Sequence, residues 1–166
     1  TRKESSAASD VYKRQLKESA AQTMLTPGIF EAYQQGVGRL AGNAKVREVA
    51  RGRVGETPHQ CQAGLFVTTA ADFLNDEALQ EEVFGSSSLV IECADTAEVK
   101  RVAEHLDGQL TATLQMDDAD LDAARALLPT LERKAGRVLV NGWPTGVEVC
   151  LSLIHISEPT RQEAIS

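Results

Sequence analysis

Long apolar runs are missing from this chain, and no stretch approaches the length of a transmembrane helix. The N-terminus has no apolar signal-peptide core. Positive charge is in the minority: 17 Lys and Arg stand against 24 Asp and Glu, a net charge of -7. That balance argues against nucleic acid or an anionic membrane as the main partner. Cysteine is limited to Cys61, Cys93 and Cys150, widely spaced and odd in number. A disulfide framework is therefore not expected, and a reducing cytoplasm is the expected location. Aromatics make up only 4%. The chain also lacks a glycine-rich turn between a strand and a helix. "GVGRLAG" (Gly36 to Gly42) places its glycines at the end of a helix, so it is no dinucleotide fingerprint.

What is present suits one modest globular domain: 166 residues, 42% hydrophobic and 25% charged. "TPGIFEAYQQGVGRLAG" reads as a helix with Thr26 as N-cap, Pro27 in the first turn and an apolar stripe of Ile29, Phe30, Tyr33 and Val37. "AKVREVARG" leans to strand, Arg51 to Gly64 reads as a polar loop, and "GLFVTTA" is a buried strand. "NDEALQEEVFG" predicts a short helix ending near Phe84 and Gly85. A repeat of elements follows. "SSLVIECAD" predicts a strand, and "TAEVKRVAEHL" a helix capped by Thr96 with Val99, Val102, Ala103 and Leu106 inward. "GQLTATLQM" is a strand. "DADLDAARALLPTLERKAG" is a helix with Leu121, Ala124, Leu128 and Leu131 inward and Pro129 as a kink. "GRVLVNG" is a final strand. Strands and helices alternating with short links predict an α/β fold, a βαβαβ core with parallel strands joined by right-handed crossovers.

Two stretches invite a chemical reading. "PHQCQAG" holds His59 and Cys61, and a thiolate beside an imidazole can be a nucleophile. No third partner is visible and a metal needs more ligands than these two, so an ordinary loop is the favoured reading and no metal is expected. "LQEEVFG" (Leu79 to Gly85) is an acidic stretch with an aromatic, which in isolation means capping and core packing.

The order of the pieces adds more. "GLFV", "EEVFG", "LVIE", "TAEVKRVAEHL", "GQLTATLQ", "DLDAARALLPTLERKAG" and "GRVLVN" succeed one another. That ordered set resembles the C-terminal half of the aldehyde dehydrogenase catalytic domain. "NGWPTGVEV" (Asn141 to Val149) looks most like the branch that oxidises 2-oxoglutarate semialdehyde, usually with NADP. The resemblance implies that Glu82 binds the hydroxyls of the nicotinamide ribose and that Phe84 packs beside the nicotinamide ring, with NADP or NAD as cofactor. It implies that Asn141 closes the last strand and that Asn141, Trp143, Thr145 and Val147 line the substrate tunnel. The family usually has proline after "F-G", whereas this chain has Ser86, which predicts a looser turn. Cys61 stands too close to Glu82 to be the family's nucleophile.

The family mechanism is attack of a cysteine thiolate on the aldehyde, hydride transfer to the nicotinamide and hydrolysis of the thioester. No residue here matches that cysteine, the glutamate base or the glycine-bearing cofactor domain. The resemblance thus implies a fragment that begins after the nucleophile and stops before the family's last oligomerisation strand. It further implies a cytoplasmic, homo-oligomeric parent acting on a small-molecule aldehyde, and an inactive isolated chain. The ends fit this picture. "SSAASDVYKRQ" and "LSLIHISEPTR" resemble translated sequencing adapters. Residues 1–15 and 151–166 are then library-derived tails, and residues 16–150 are the partial catalytic domain. The rival expectation is a non-catalytic acidic α/β interaction domain. It differs in allowing Phe84 to be buried and Glu82 to point anywhere.

Overall fold

A computed structural model describes residues 13–142. Two compact units divide at Leu106 and Asp107, and each is described by itself.

In the first unit, residues 13–18 are helical and lead to β1 (Gln22–Thr23), which pairs antiparallel with β3 (Gln60–Cys61). Helix α1 spans Pro27–Gly42 as the sequence predicts. The Thr26 hydroxyl accepts from the Ile29 N–H at 3.2 Å, satisfying one free donor of the first turn, and Pro27 opens the helix where no N–H is needed. Tyr33, Gly36, Val37 and Leu40 are buried at helical spacing, so one stripe of α1 faces the core. Ile29 and Phe30 are only half-buried.

Behind α1 lies a three-stranded sheet in the order β2-β4-β5. Strand β2 (Arg47–Arg51) runs antiparallel to β4 (Gly64–Thr69) with an irregularity between Glu48 and Ala50. Strand β5 (Ser87–Glu92) runs parallel to β4, in register from Gly64 opposite Ser87 to Thr69 opposite Glu92. Central β4 buries Gly64, Phe66, Val67 and Thr68 in a near-continuous run. Outer β5 instead alternates, with Leu89 and Ile91 half-buried and Val90 exposed. Tyr33, Phe66, Phe73 and Leu79 anchor the core.

Between β4 and β5 the chain makes α2 (Ala70–Leu74), capped by Thr69, and one 3₁₀ turn over Glu77–Leu79, capped by Asp76. The helix expected up to Phe84 is not there: residues 81–86 have no regular structure. "EALQEEV" is rich in helix formers, but only Glu77–Leu79 form a 3₁₀ turn, and Glu81 and Val83 beyond it meet α1 two residues apart. A helix would scatter them around an axis. Helix α3 (Thr96–His105) buries Val102 and Ala103, leaves Leu106 half-buried and exposes Val99. Its cap is Asp95, not Thr96: the Asp95 carboxylate accepts the Glu98 N–H at 2.8 Å, and Glu98 returns to the Ala94 N–H at 2.7 Å. A carboxylate also suits the positive end of the helix better than a hydroxyl.

In the second unit, β6 (Gln109–Leu114) and β7 (Ala135–Val140) pair parallel across α4 (Leu121–Lys134). The helix runs through Pro129. Leu127 and Thr130 are its buried residues, with Ala124, Leu128 and Leu131 half-buried beside them. Leu121, expected inward, is 44% exposed at the first turn. The class is α/β, with parallel strand pairs in each unit.

Candidate functional site

The candidate site is built on the segment from Glu81 to Gly85. Its odd-numbered residues face α1. The Glu81 carboxylate meets the Arg39 guanidinium at 3.0 Å. Val83 covers Gly36 so closely that a β-carbon on Gly36 would lie 2.8 Å from Val83 Cγ1 and 3.0 Å from Cγ2. Gly85 packs on Tyr33, where a β-carbon would come within 2.4 Å of the ring. Gly85 also has φ +145, a backbone conformation open to glycine and strained for other residues. Tyr33, Gly36 and Arg39 are three residues apart on one face of α1. A cavity of about 20 Å³ between α1 and this segment has room for no more than one water.

The even-numbered residues do not line that cavity. Glu82 is exposed, and among the described residues it has no hydrogen bond or ion pair. Phe84 is 67% exposed, although a phenyl ring left in water forfeits on the order of 2 kcal/mol of burial. Val83 between them is half-buried. An acceptor and an aromatic ring thus stand two residues apart, both exposed, on a segment docked to α1.

The segment is tied at both ends. Before it, Gln80 Nε2 lies 2.8 Å from His105 Nε2, and the His105 ring packs edge-on to Phe73. After it, the Ser86 carbonyl accepts the Gly64 N–H at 2.9 Å. That anchor is a carbonyl, which a proline in its place would also carry. Asp76, at the 3₁₀ turn, accepts from Asn43 Nδ2 at 3.1 Å and from the Ala78 N–H at 3.2 Å, with Lys45 Nζ at 3.5 Å. These contacts, the Asn43 bond foremost, hold its carboxyl below the usual aspartate range.

Asn141 belongs to the second unit and closes β7. Its φ is +51, in the left-handed region that asparagine tolerates. Its backbone N–H donates to Leu114 at 2.8 Å. Its side-chain oxygen accepts the Met116 N–H at 2.9 Å, and its Nδ2 donates to the Met116 carbonyl at 3.0 Å. The amide extends the β6–β7 ladder by one rung. Trp143, Thr145 and Val147, expected along a substrate tunnel, lie outside the described residues.

The stretch expected as a polar loop contains strand β3, Gln60–Cys61. Cys61 is fully buried, with Ser86 Oγ 3.8 Å from its sulfur. His59 is exposed, in a left-handed conformation, with its ring edge-on to Phe30 at 5.7 Å. Cys93 is half-buried, and burial followed by the charges of Glu98 and Asp95 pushes its thiol up. Among the described residues no cluster of three His, Cys, Asp or Glu could hold a metal, and no helix is long and apolar enough to cross a membrane.

Sequence reasoning missed Gly36 and Arg39. The signal was available as a small residue and a cation on one face of α1, but only a fold that lays Glu81 and Val83 across them gives it meaning.

No family model matches the sequence. The chain is 51% identical over 145 residues to "Alpha-ketoglutaric semialdehyde dehydrogenase 2" of Azospirillum brasilense, covering 87% of this chain and 28% of that protein. It is 42% identical over 140 residues to "Alpha-ketoglutaric semialdehyde dehydrogenase" of Acinetobacter baylyi, covering 84% of this chain and 27% of that protein. The chain therefore spans a little over a quarter of the curated relatives it matches. Among solved structures, an NAD-dependent benzaldehyde dehydrogenase of Corynebacterium glutamicum superposes with a TM-score of 0.62 at 18% identity, over 82% of this chain and 30% of that one. The Delta-pyrroline-5-carboxylate dehydrogenase of Mycobacterium tuberculosis gives 0.62 at 22% identity, over 76% of this chain and 23% of that one. At such identities these likenesses speak for the fold.

Proposed function

We propose, for a chain whose sequence belongs to the aldehyde dehydrogenase family, that it supplies part of the coenzyme and substrate site of an NAD(P)-dependent semialdehyde dehydrogenase. Glu82 accepts hydrogen bonds from the ribose hydroxyls next to the nicotinamide, and Phe84 flanks the nicotinamide ring. The observation that carries this is the outward pair itself. A carboxylate without an internal partner is ready to accept from two hydroxyl donors. A solvent-facing phenyl ring gains by covering a flat heterocycle. Both residues are exposed, as the coenzyme reading requires of them. An acceptor and a phenyl ring suit the ribose and nicotinamide of the coenzyme, which when bound supplies the hydride acceptor.

Asn141 has a positioning task in this reading. It closes the β6–β7 ladder, and with Trp143, Thr145 and Val147 it is taken to line one wall of the substrate tunnel. The substrate is an aldehyde, with 2-oxoglutarate semialdehyde favoured by the semialdehyde dehydrogenases among the relatives. Residues 16–150 are the partial catalytic domain and the flanking residues library-derived tails. The parent is a cytoplasmic homo-oligomer that uses neither nucleic acid nor membrane.

Two preparations test this. The purified chain, given aldehyde with NAD or NADP, forms no reduced coenzyme. Grafted in place of the matched segment of the Azospirillum brasilense relative, residues 16–150 restore oxidation of that enzyme's substrate. Reduced coenzyme from the chain alone, or a folded graft that binds no coenzyme, contradicts the proposal.

A further inference from the structure

The face of α1 made by Tyr33, Gly36 and Arg39 carries three successive contacts to alternate residues of the 81–85 segment. We infer that this face is a register lock, with Gly36 as its notch, that decides which side chains of the segment point outward. The inference rests on the coenzyme reading for its purpose, though not for its geometry.

The three contacts are unequal. Arg39 and Glu81 have side chains 54% and 60% exposed, and an ion pair so open to water contributes little. Gly85 on Tyr33 fixes where the segment ends but does not select a parity. Gly36 does. Val83 Cγ1 and Cγ2 lie 2.8 and 3.0 Å from where a β-carbon at position 36 would stand, too close for one to fit without a shift. A β-branched side chain has few rotamers with which to yield. With the notch filled, Val83 must lift away or the segment must slip by one residue. A slip of one exchanges the two faces of an extended segment, turning Glu82 and Phe84 inward. Tyr33 backs the lock: it is buried to 1% exposure and its hydroxyl donates to the Gln62 carbonyl at 2.7 Å. Gly36 is thus a positioning residue, acting on a ligand only through the residues it turns toward it.

The test uses the full chain carrying Cys93→Ser and Cys150→Ser, with buried Cys61 kept. Glu82→Cys, Val83→Cys and Phe84→Cys are made singly and their reaction rates with a water-soluble maleimide are compared, with urea-unfolded chain as reference. Positions 82 and 84 react close to the unfolded rate, and position 83 at least about tenfold more slowly, the protection expected of a docked local segment. Adding Gly36→Val removes or inverts that alternation. Adding Gly38→Ala, where a β-carbon meets open space, leaves it intact. Equal rates at all three positions, or an alternation that survives Gly36→Val, overturn the inference. No coenzyme is present in this experiment. An intact lock combined with no effect of Glu82 on coenzyme affinity would refute the coenzyme reading and spare the lock.

Discussion

Val83 and Gly36 touch at a distance that leaves no room for a β-carbon, 2.8 Å from Cγ1 to the place where one would stand. This contact turns a loop without regular structure into a defined surface. The helix face is set by burial of Tyr33, Val37 and Leu40 in the core. The segment is laid across that face, and its remaining side chains, Glu82 and Phe84, are presented outward.

Gly36→Ala tests the contact energetically. Overpacking against Val83 costs about 1–3 kcal/mol, offset by about 1 kcal/mol of better helix propensity. The net expectation is a loss of up to roughly 2 kcal/mol in urea unfolding. Gly38→Ala, in the same helix with open space around the added carbon, gains about 0.5–1 kcal/mol. Opposite signs for two glycines two residues apart separate packing from propensity.

Asp76 gives the chain an acid-sensitive clamp. Its carboxyl is held below the ordinary aspartate range chiefly by the Asn43 bond, with Lys45 and the Ala78 N–H assisting. Its folded pKa is thus lower than its unfolded one, and the unfolded chain binds more protons. The stabilisation is fully present above the ordinary aspartate range and is lost as pH falls through it to the folded value. In Asp76→Asn that segment of the stability profile flattens, as thermal melts across acidic pH will register.

Asn141 is expected to act through its amide. Asn141→Ala removes both bonds to Met116 and puts alanine in a left-handed conformation, at a cost of about 2–5 kcal/mol. Asn141→Gly loses the bonds but keeps the conformation and recovers roughly half of that. Hydrogen exchange at the Met116 N–H, which donates to Asn141 Oδ1, quickens in both. The exchange rate separates loss of the rung from global unfolding.

Much of this was legible in the sequence. The "TP" start of α1, the apolar run of β4, and the alternation of strands with helices all appear as expected, because local capping and periodicity agree there with the tertiary packing. The failures have a common physical form. "EALQEEV" reads as helix from its propensities, yet Asp76 caps only one 3₁₀ turn and contacts to α1 impose a period of two. Thr96 reads as a cap, yet the neighbouring carboxylate of Asp95 takes the Glu98 N–H. Gly36 reads as a helix-end glycine, since its purpose lies with a valine far along the chain. Glu82 and Phe84 were singled out by resemblance, and nothing in their own spacing explains why they face outward.

The thiols should be quiet. Cys93, raised by burial and by Glu98 and Asp95, is expected to alkylate slowly at neutral pH and to quicken only above the ordinary thiol range. Cys61, fully buried, waits for unfolding. Mass-spectrometric timing of iodoacetamide labelling distinguishes the two. Rapid modification of either at neutral pH would reopen the question of a nucleophile in this chain.

The most direct test of the central claim is coenzyme affinity in the grafted full-length enzyme carrying Glu82→Gln or Phe84→Ala. The account predicts that each raises the coenzyme KM by about tenfold or more, the value of a charge-assisted hydrogen bond or a stacked ring, with the aldehyde KM little changed. Unaltered coenzyme KM in both variants would contradict it.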